Sequence, residues 1–162
     1  RGNRTHETAG GHRWDVSSLE FGSVPLQDLL HVTTCRLRQA FHIHSERIFL
    51  AGSGYGADAA LQMLVQRPEW FAGGILLDPA CKTDCLKADR LKGLRGKPVL
   101  MSVSRNCPAD MLARNVEIVR TLRSAGGKID VELTEHPVDP TSSEVRMLDH
   151  WMMNCINREA LV

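Results

Sequence analysis

The chain has 162 residues and a mass of 18.0 kDa, which fits one domain with a substantial core. Its 43% hydrophobic and 24% charged residues are close to globular averages and exclude a disordered, collagen-like or coiled-coil chain. A net charge of +1 provides no field that would attract a polyanion, so we expect no nucleic-acid partner. The longest apolar stretch, Trp70 to Leu77, is far shorter than the about 20 residues of a membrane-spanning helix, so none is expected.

The cysteines are odd in number and irregularly spaced, which argues against a disulfide scaffold; they are Cys35, Cys81, Cys85, Cys107 and Cys155. Reduced thiols favour a cytoplasmic over a secreted location. No second cysteine pair accompanies Cys81 and Cys85, so we predict no metal site, and no sequence signal calls for a cofactor. The chain begins with arginine rather than methionine, and we therefore expect a fragment or a processed product.

The first predicted elements are a polar arm and an amphipathic helix. Residues 1–20 contain several glycines and almost no side chains to bury, which is typical of a loop or arm, and residues 21–162 form the predicted domain. A helix is predicted from Val24 to Phe41. Its apolar face is predicted to contain Leu26, Leu29, Leu30, Leu37, Ala40 and Phe41.

Alternating strands and helices are predicted for the rest of the domain. Continuous apolar runs near 48–51, 73–77 and 99–103 indicate three strands, and alternating apolar and charged residues at 129–133 indicate a fourth. Helical spacing indicates helices at 57–66 and 110–125 and after a capping box at Thr141 and Glu144. Such alternation is typical of an α/β fold with a parallel sheet covered on both faces. We therefore expect the loops that follow the strands to share one rim, where α/β proteins place their ligand sites.

The strand, glycine-rich turn and helix in RIFLAGSGYGADAALQMLVQRPEWFAGGILLDPA resemble the nucleophile-elbow region of α/β-hydrolases, especially their carboxylesterase and phospholipase-like branch. The resemblance covers roughly residues 21–153 and implies the C-terminal part of that fold. When the outer glycines of G-x-S-x-G are placed on Gly52 and Gly56, the nucleophile position falls on Gly54. The serine of the motif is missing.

The other two catalytic positions that the resemblance implies have also changed. The strand KPVLMSV leads to the position of the catalytic acid at Cys107, and the strand IDVELTEHP leads to that of the catalytic histidine near Pro140. We therefore predict a hydrolase-like protein without Ser-His-Asp catalysis that binds a small molecule or a partner protein. The predicted ligand-binding residues are Gly52, Ser53, Gly54, Tyr55, Gly56 and Asp78.

Two alternatives remain at this point. In the first, Ser53 acts as a displaced nucleophile with Asp110 and His136, which would make the protein an active esterase. In the second, the residues from Gly52 to Ala57 match the dinucleotide fingerprint G-x-G-x-x-G/A, and Asp78 after the next strand would hold a ribose.

One expectation concerns the edge of the predicted sheet. The strand near 48–51 would have no neighbour on its outer side within this chain, and natural proteins avoid exposed strand edges. We therefore expect an upstream part of the same protein, or a second copy, to cover it.

Overall fold

The computed structural model describes residues 20–21, 24–80, 86, 90–136 and 145–159. Short 3-10 turns at Ser45–Arg47, Pro68–Trp70 and Leu91–Leu94 connect its main elements. In chain order these elements are β1 (Glu20–Phe21), β2 (Val24–Pro25), α1 (Leu26–Phe41), β3 (Phe49–Ser53), α2 (Tyr55–Gln66), β4 (Gly73–Leu77), β5 (Pro98–Ser104), α3 (Ala109–Ser124), β6 (Lys128–Thr134) and α4 (Val145–Glu159).

The centre of the fold is a parallel four-stranded sheet in the order β3-β4-β5-β6. The four predicted strands and the predicted α/β fold class are thus confirmed. Because the strands are parallel, their carboxyl ends lie along one edge: Ser53 pairs with Leu77, and Ser104 pairs with Thr134. A separate antiparallel pair is formed by β1 and β2.

Helices cover both faces of the sheet, and the strand side chains alternate between them. On one face, Leu61 and Leu64 of α2 and Ile118 of α3 are buried against the sheet. On the other face, Leu148 of α4 packs on Ile75, Leu77 and Leu100. Each buried leucine or isoleucine contributes about 1.5–3 kcal/mol, so these two layers stabilise the sheet that carries the rim.

The first helix differs from its prediction in two ways. Helix α1 begins at Leu26, two residues later than predicted, because Val24 pairs with Phe21 in the small hairpin. Its predicted apolar face is not fully buried: Leu37 is 46% exposed and Phe41 is 67% exposed. The periodicity of a helix identifies its apolar side but does not say what packs there, and the main contacts of α1 are with β1 and β2.

The structure also extends several predicted boundaries. Strand β3 continues to Ser53 because its ladder with β4 continues to the pair of Ser53 with Leu77, and α2 begins at Tyr55 rather than at residue 57. Some predictions concern parts of the chain outside the described residues. These are the arm at residues 1–19, Cys81, Cys85, Pro140 and the capping box at Thr141 and Glu144.

Both outer strands of the sheet lack a second neighbour among the described residues. Strand β3 pairs only with β4, so the unpaired edge expected from the sequence is present in this part of the chain. None of the described helices is long and apolar enough to cross a membrane.

Candidate functional site

The turn between β3 and α2 has the sharp geometry expected of an elbow. Gly54 stands at its apex with φ 54° and ψ −119°. Its amide donates a hydrogen bond to the Leu77 carbonyl (2.8 Å), and its carbonyl accepts one from the Ala57 amide (3.0 Å). The apex is therefore fixed to both the neighbouring strand and the first turn of the helix.

The three glycines of the turn have different roles. A Cβ atom on Gly52 would lie 2.1 Å from the carbonyl oxygen of Gly56, so only glycine allows β3 and α2 to approach this closely. A Cβ atom on Gly54 would meet no atom within 4 Å, although the positive φ strains any other residue there. Gly56 has open space and an ordinary φ. A side chain at position 54 would therefore project into open space above the sheet.

The three residues of the displaced triad lie at the ends of different elements. Ser53 is exposed at the end of β3, and His136 is exposed just after β6. Asp110 lies in the first turn of α3, where its carboxylate is paired with Arg114 at 2.9 Å. Among the described residues, no hydrogen bond or ion pair connects Ser53 or His136 with Asp110.

Cys107, where the resemblance predicts the catalytic acid, takes part in the packing of the loop after β5. Cys107 is half-buried and packs against the core that α2 and α3 form with the sheet. Its backbone amide donates to the Ser104 carbonyl at 3.2 Å, which closes the turn after β5. The thiol therefore occupies a loop-packing position at the rim.

Asp78 is the most constrained residue of the rim. It has a positive φ of 46°, and its amide donates to the Ser102 carbonyl at 2.9 Å. Its Oδ1 atom accepts a hydrogen bond from the Ser104 amide at 2.6 Å, whereas its Oδ2 atom is buried and has no hydrogen-bond partner among the described residues. The carboxylate therefore connects the carboxyl ends of β4 and β5.

Sequence reasoning missed this connection. The sequence pointed to Asp78 only as a ligand-binding residue at the end of a strand, and nothing in the pattern of β5 pointed to Ser102 or Ser104. Both serines are nevertheless buried, and the Ser102 hydroxyl makes no hydrogen bond to the part of the chain that the structure describes. The one available signal was the presence of two serines in an otherwise apolar strand.

The loops after β5 and β6 are joined at the surface. Arg105 and Glu135 form an ion pair at 3.2 Å, and the Asn106 side-chain amide donates to the Glu135 carbonyl at 2.8 Å. Because both ionic side chains are mostly exposed, this pair adds little stability. It does place charges of both signs beside the rim.

Within the described ranges, no three histidine, cysteine or acidic side chains converge as a metal site would require. An open cavity of about 490 Å³ lies at the end of α1, away from the rim; it is lined by Cys35, Arg38, Gln39, His42, Ile43 and His44.

Comparisons with known proteins identify the fold. No family model and no curated protein sequence matches the chain. Among solved structures, it resembles SOBER1 of Arabidopsis thaliana with a TM-score of 0.62 and 16% identity, over 88% of this chain and 70% of that one. It resembles a thermostable esterase with a TM-score of 0.53 and 20% identity, over 90% and 38%. It also resembles the acylaminoacyl peptidase of Pyrococcus horikoshii with a TM-score of 0.52 and 17% identity, over 86% and 27%.

The matched part of each solved chain is smaller than the whole, so this chain corresponds to part of a larger sheet-and-helix architecture. At these identities, the similarity establishes the fold. The chain therefore has an α/β-hydrolase-like fold and corresponds to part of the complete fold.

Proposed function

We propose that the protein is an α/β-hydrolase-like module without Ser-His-Asp catalysis that binds a small molecule or a partner protein at the rim of its sheet. The binding surface consists of the elbow from Gly52 to Gly56 together with Asp78. The observation that carries the proposal is the geometry of Gly54. The backbone keeps the strained turn of an elbow, but the residue at its apex has no side chain with which to attack a substrate.

The other catalytic positions support the loss of catalysis. A general base must be able to reach the proton of the nucleophile, and a third group must orient that base. At the position of the acid, Cys107 is packed in its loop and has no carboxylate. Asp110, the nearest carboxylate in sequence, is paired with Arg114.

Binding at the rim remains chemically reasonable without a nucleophile. The first turn of α2 follows the elbow, and the N-terminus of a helix presents backbone amides and a positive dipole to a ligand. Because Gly54 and Gly56 leave open space, a ligand can approach the backbone closely. Loss of the serine thus leaves a shallow surface with hydrogen-bond donors.

The displaced triad is the less favoured alternative. Ser53 belongs to β3, one residue before the apex, so its side chain follows the direction of the strand rather than that of the elbow. A nucleophile at this position would also need Asp110 to leave its ion pair with Arg114. An active esterase would therefore require both loops to rearrange.

The nucleotide-binding alternative depends on Asp78. In a dinucleotide site, the acidic residue after the second strand accepts hydrogen bonds from ribose hydroxyls. Here one carboxylate oxygen of Asp78 already accepts the Ser104 amide, and the other is buried. A ribose could bind this carboxylate only if the turn opened, which favours a ligand that contacts the elbow backbone instead.

Labelling with a fluorophosphonate probe tests the loss of catalysis. Intact-mass spectrometry would compare the native protein, the Ser53→Ala variant and a denatured sample, with an active serine hydrolase as the positive control for the probe. We expect no adduct on the native protein. A single adduct that disappears in Ser53→Ala would overturn the proposal and establish a working serine hydrolase.

A thermal-shift panel of nucleotides and acyl compounds tests binding. A ligand at 100 times its dissociation constant stabilises the folded state by about 2.7 kcal/mol, which raises the melting temperature by about 5–10 °C in a domain of this size. The Gly56→Glu variant would block the elbow, because position 56 has open space. The matched control is Ala113→Glu on the exposed side of α3.

Comparing Gly56→Glu with Ala113→Glu shows whether a stabilising compound binds at the elbow. We expect stabilisation by an active compound to vanish in Gly56→Glu and to persist in Ala113→Glu. A compound that stabilises both variants equally binds elsewhere and contradicts the assignment to the rim. A panel without any stabilising compound contradicts the small-molecule form of the proposal.

A further inference from the structure

Positive charge is concentrated at the end of the sheet opposite the rim, where β4, β5 and β6 begin. Three segments of the chain meet this end, residues 67–70, 90–98 and 123–128. Together they contain seven basic side chains and one acidic side chain, that of Glu69, for a net charge of +6. Because the whole chain has a net charge of only +1, all its other residues together carry −5. The nearly neutral total therefore conceals a strong local imbalance.

Contacts between the three segments make them one continuous surface. The first packs on the second, because a Cβ atom on Gly93 would lie 2.3 Å from the Cγ atom of Pro68. The second is joined to the third by the Lys128 amide, which donates to the Lys97 carbonyl at 2.9 Å. We call the basic side chains of this surface the basic patch; they are Arg67, Arg90, Lys92, Arg95, Lys97, Arg123 and Lys128.

The charges of the basic patch are not neutralised within the described part of the chain. Lys97 is half-buried and the other six side chains are exposed. Among the described residues, none of the seven forms an ion pair with a carboxylate. Lys97 and Arg123 donate to backbone carbonyls instead, and the Arg67 guanidinium lies 5.3 Å from the centre of the Trp70 ring.

The fold itself explains only part of this charge. Arg67 and Arg123 lie at the carboxyl ends of α2 and α3, where positive charge offsets the negative end of the helix dipole. The other five basic residues lie in the segment that leads into β5 or at the start of β6, where no α-helix ends. These five indicate an external anionic partner.

The surroundings of the basic patch distinguish between classes of polyanion. Anionic membranes are bound by surfaces that combine basic with apolar side chains, and none of the large apolar side chains exposed in the described ranges lies in these three segments. Single-stranded nucleic acids stack their bases on free aromatic rings, but the Trp70 ring is already stacked on His31 at 4.3 Å between centroids. The major groove of duplex DNA admits an α-helix or a two-stranded ribbon, whereas this surface consists of loops and 3-10 turns.

An extended acidic peptide fits the remaining chemistry. Gly96 lies between Arg95 and Lys97, and a Cβ atom on it would meet nothing within 4 Å. A peptide backbone can therefore approach the surface closely between the two cations. The arginine guanidinium can bind a carboxylate through two parallel hydrogen bonds, and the lysine ammonium can bind a second carboxylate as a point charge.

We propose that the basic patch is a docking surface for a segment of a partner protein that is rich in aspartate and glutamate. The patch and the elbow lie at opposite ends of the strands, so this contact is independent of any ligand at the rim. The patch also lies on the side of the sheet away from the outer edge of β3, so a strand added along that edge leaves it accessible.

Fluorescence anisotropy with the whole chain tests the proposal. The probe is a fluorescein-labelled peptide of alternating glutamate and serine, and its uncharged counterpart has glutamine in place of glutamate. We expect only the glutamate peptide to bind. Because the Debye length falls from about 10 Å at 0.1 M salt to about 3 Å at 1 M, its dissociation constant should rise steeply with salt over this range.

Charge reversal locates the contact on the protein. Combining Arg95→Glu with Lys128→Glu turns two attractions into repulsions and should raise the dissociation constant about tenfold or more. The matched control combines Arg36→Glu with Arg146→Glu, which changes the net charge equally at exposed positions of α1 and α4 and should have an effect below about threefold. Circular dichroism would establish folding. If the reversed variant does not fold, Arg95→Gln with Lys128→Gln replaces it, since glutamine keeps the aliphatic stem beside Gly126, and a rise of about threefold or more is expected.

Three results would overturn the proposal. The first is a glutamate peptide that does not bind even at low salt. The second is an equal loss of affinity in the patch variant and in the control variant, which would show that only the net charge matters. The third is tighter binding of duplex DNA or phosphatidylserine vesicles than of the peptide, at an equal concentration of negative charge, which would assign the basic patch to a nucleic acid or a membrane.

Discussion

Alanine substitution at each of the three glycines of the elbow should have three different effects on stability. Gly56→Ala should stabilise the protein by about 0.5–1 kcal/mol, because alanine is the better helix former and its Cβ atom meets nothing within 4 Å. Gly54→Ala should destabilise it by about 1–3 kcal/mol, because the cost is backbone strain at φ 54°.

Gly52→Ala should be the most damaging of the three. Its Cβ atom would lie 2.1 Å from the Gly56 carbonyl oxygen and 2.6 Å from the Ala57 amide nitrogen. Both contacts involve backbone, so β3 and α2 would have to separate, at a cost of about 3 kcal/mol. For a domain with a total stability of about 5–15 kcal/mol, this is a large loss.

Urea denaturation followed by circular dichroism measures all three differences in the free energy of unfolding. The m-value of each variant shows whether its unfolding remains comparable with that of the native protein. If Gly54→Ala were as stable as the native protein, the strained turn would not exist. If Gly52→Ala were no worse than Gly56→Ala, the close contact between β3 and α2 would be wrong.

Three further predictions concern the rim and α1. Gly54→Ser should fold but remain unlabelled by a fluorophosphonate, because in the described part of the chain no hydrogen bond or ion pair links His136 with a carboxylate that could orient it as a base; rapid labelling in intact-mass spectra would refute this. Asp78→Ala should lower the free energy of unfolding by about 1–3 kcal/mol by leaving the Ser104 amide without its acceptor, whereas Asp78→Asn should cost less; equal losses in urea titrations would contradict that role. His31→Ala removes the stacking on Trp70, at 4.3 Å between ring centroids, and should speed hydrogen exchange in α1 by about threefold to tenfold without affecting β5; unchanged exchange in α1 would show that the stack does not hold the helix.

The centre of the parallel sheet could be predicted from the sequence because its two inner strands are buried on both faces. Strands β4 and β5 are buried at every residue, which leaves continuous apolar runs that few other structures explain. The elbow could be predicted because Gly52 is required by its close contact with Gly56 and Gly54 is required by its positive φ, and both requirements are local in the chain. Local sequence therefore carried the information for the central part of the fold.

Other features depend on residues that are distant in sequence. The hydrogen bond between Asp78 and Ser104 spans 26 positions, and no local pattern indicates it. The exposure of Leu37 and Phe41 could not be predicted for the same reason, because periodicity does not reveal which element faces a helix. The start of α1 was wrong because the pairing of Val24 with Phe21 competes with the helix.

The contact between Gly52 and Gly56 bears on how a hydrolase scaffold changes during evolution. The path of the backbone through the elbow is constrained where β3 and α2 meet at Gly52, whereas a Cβ atom at the apex would meet no atom within 4 Å. A lineage can therefore exchange the apex residue without rebuilding the turn around it. In such a scaffold, the backbone conformation of the turn can persist when the nucleophile is lost, and the same turn can then serve another function.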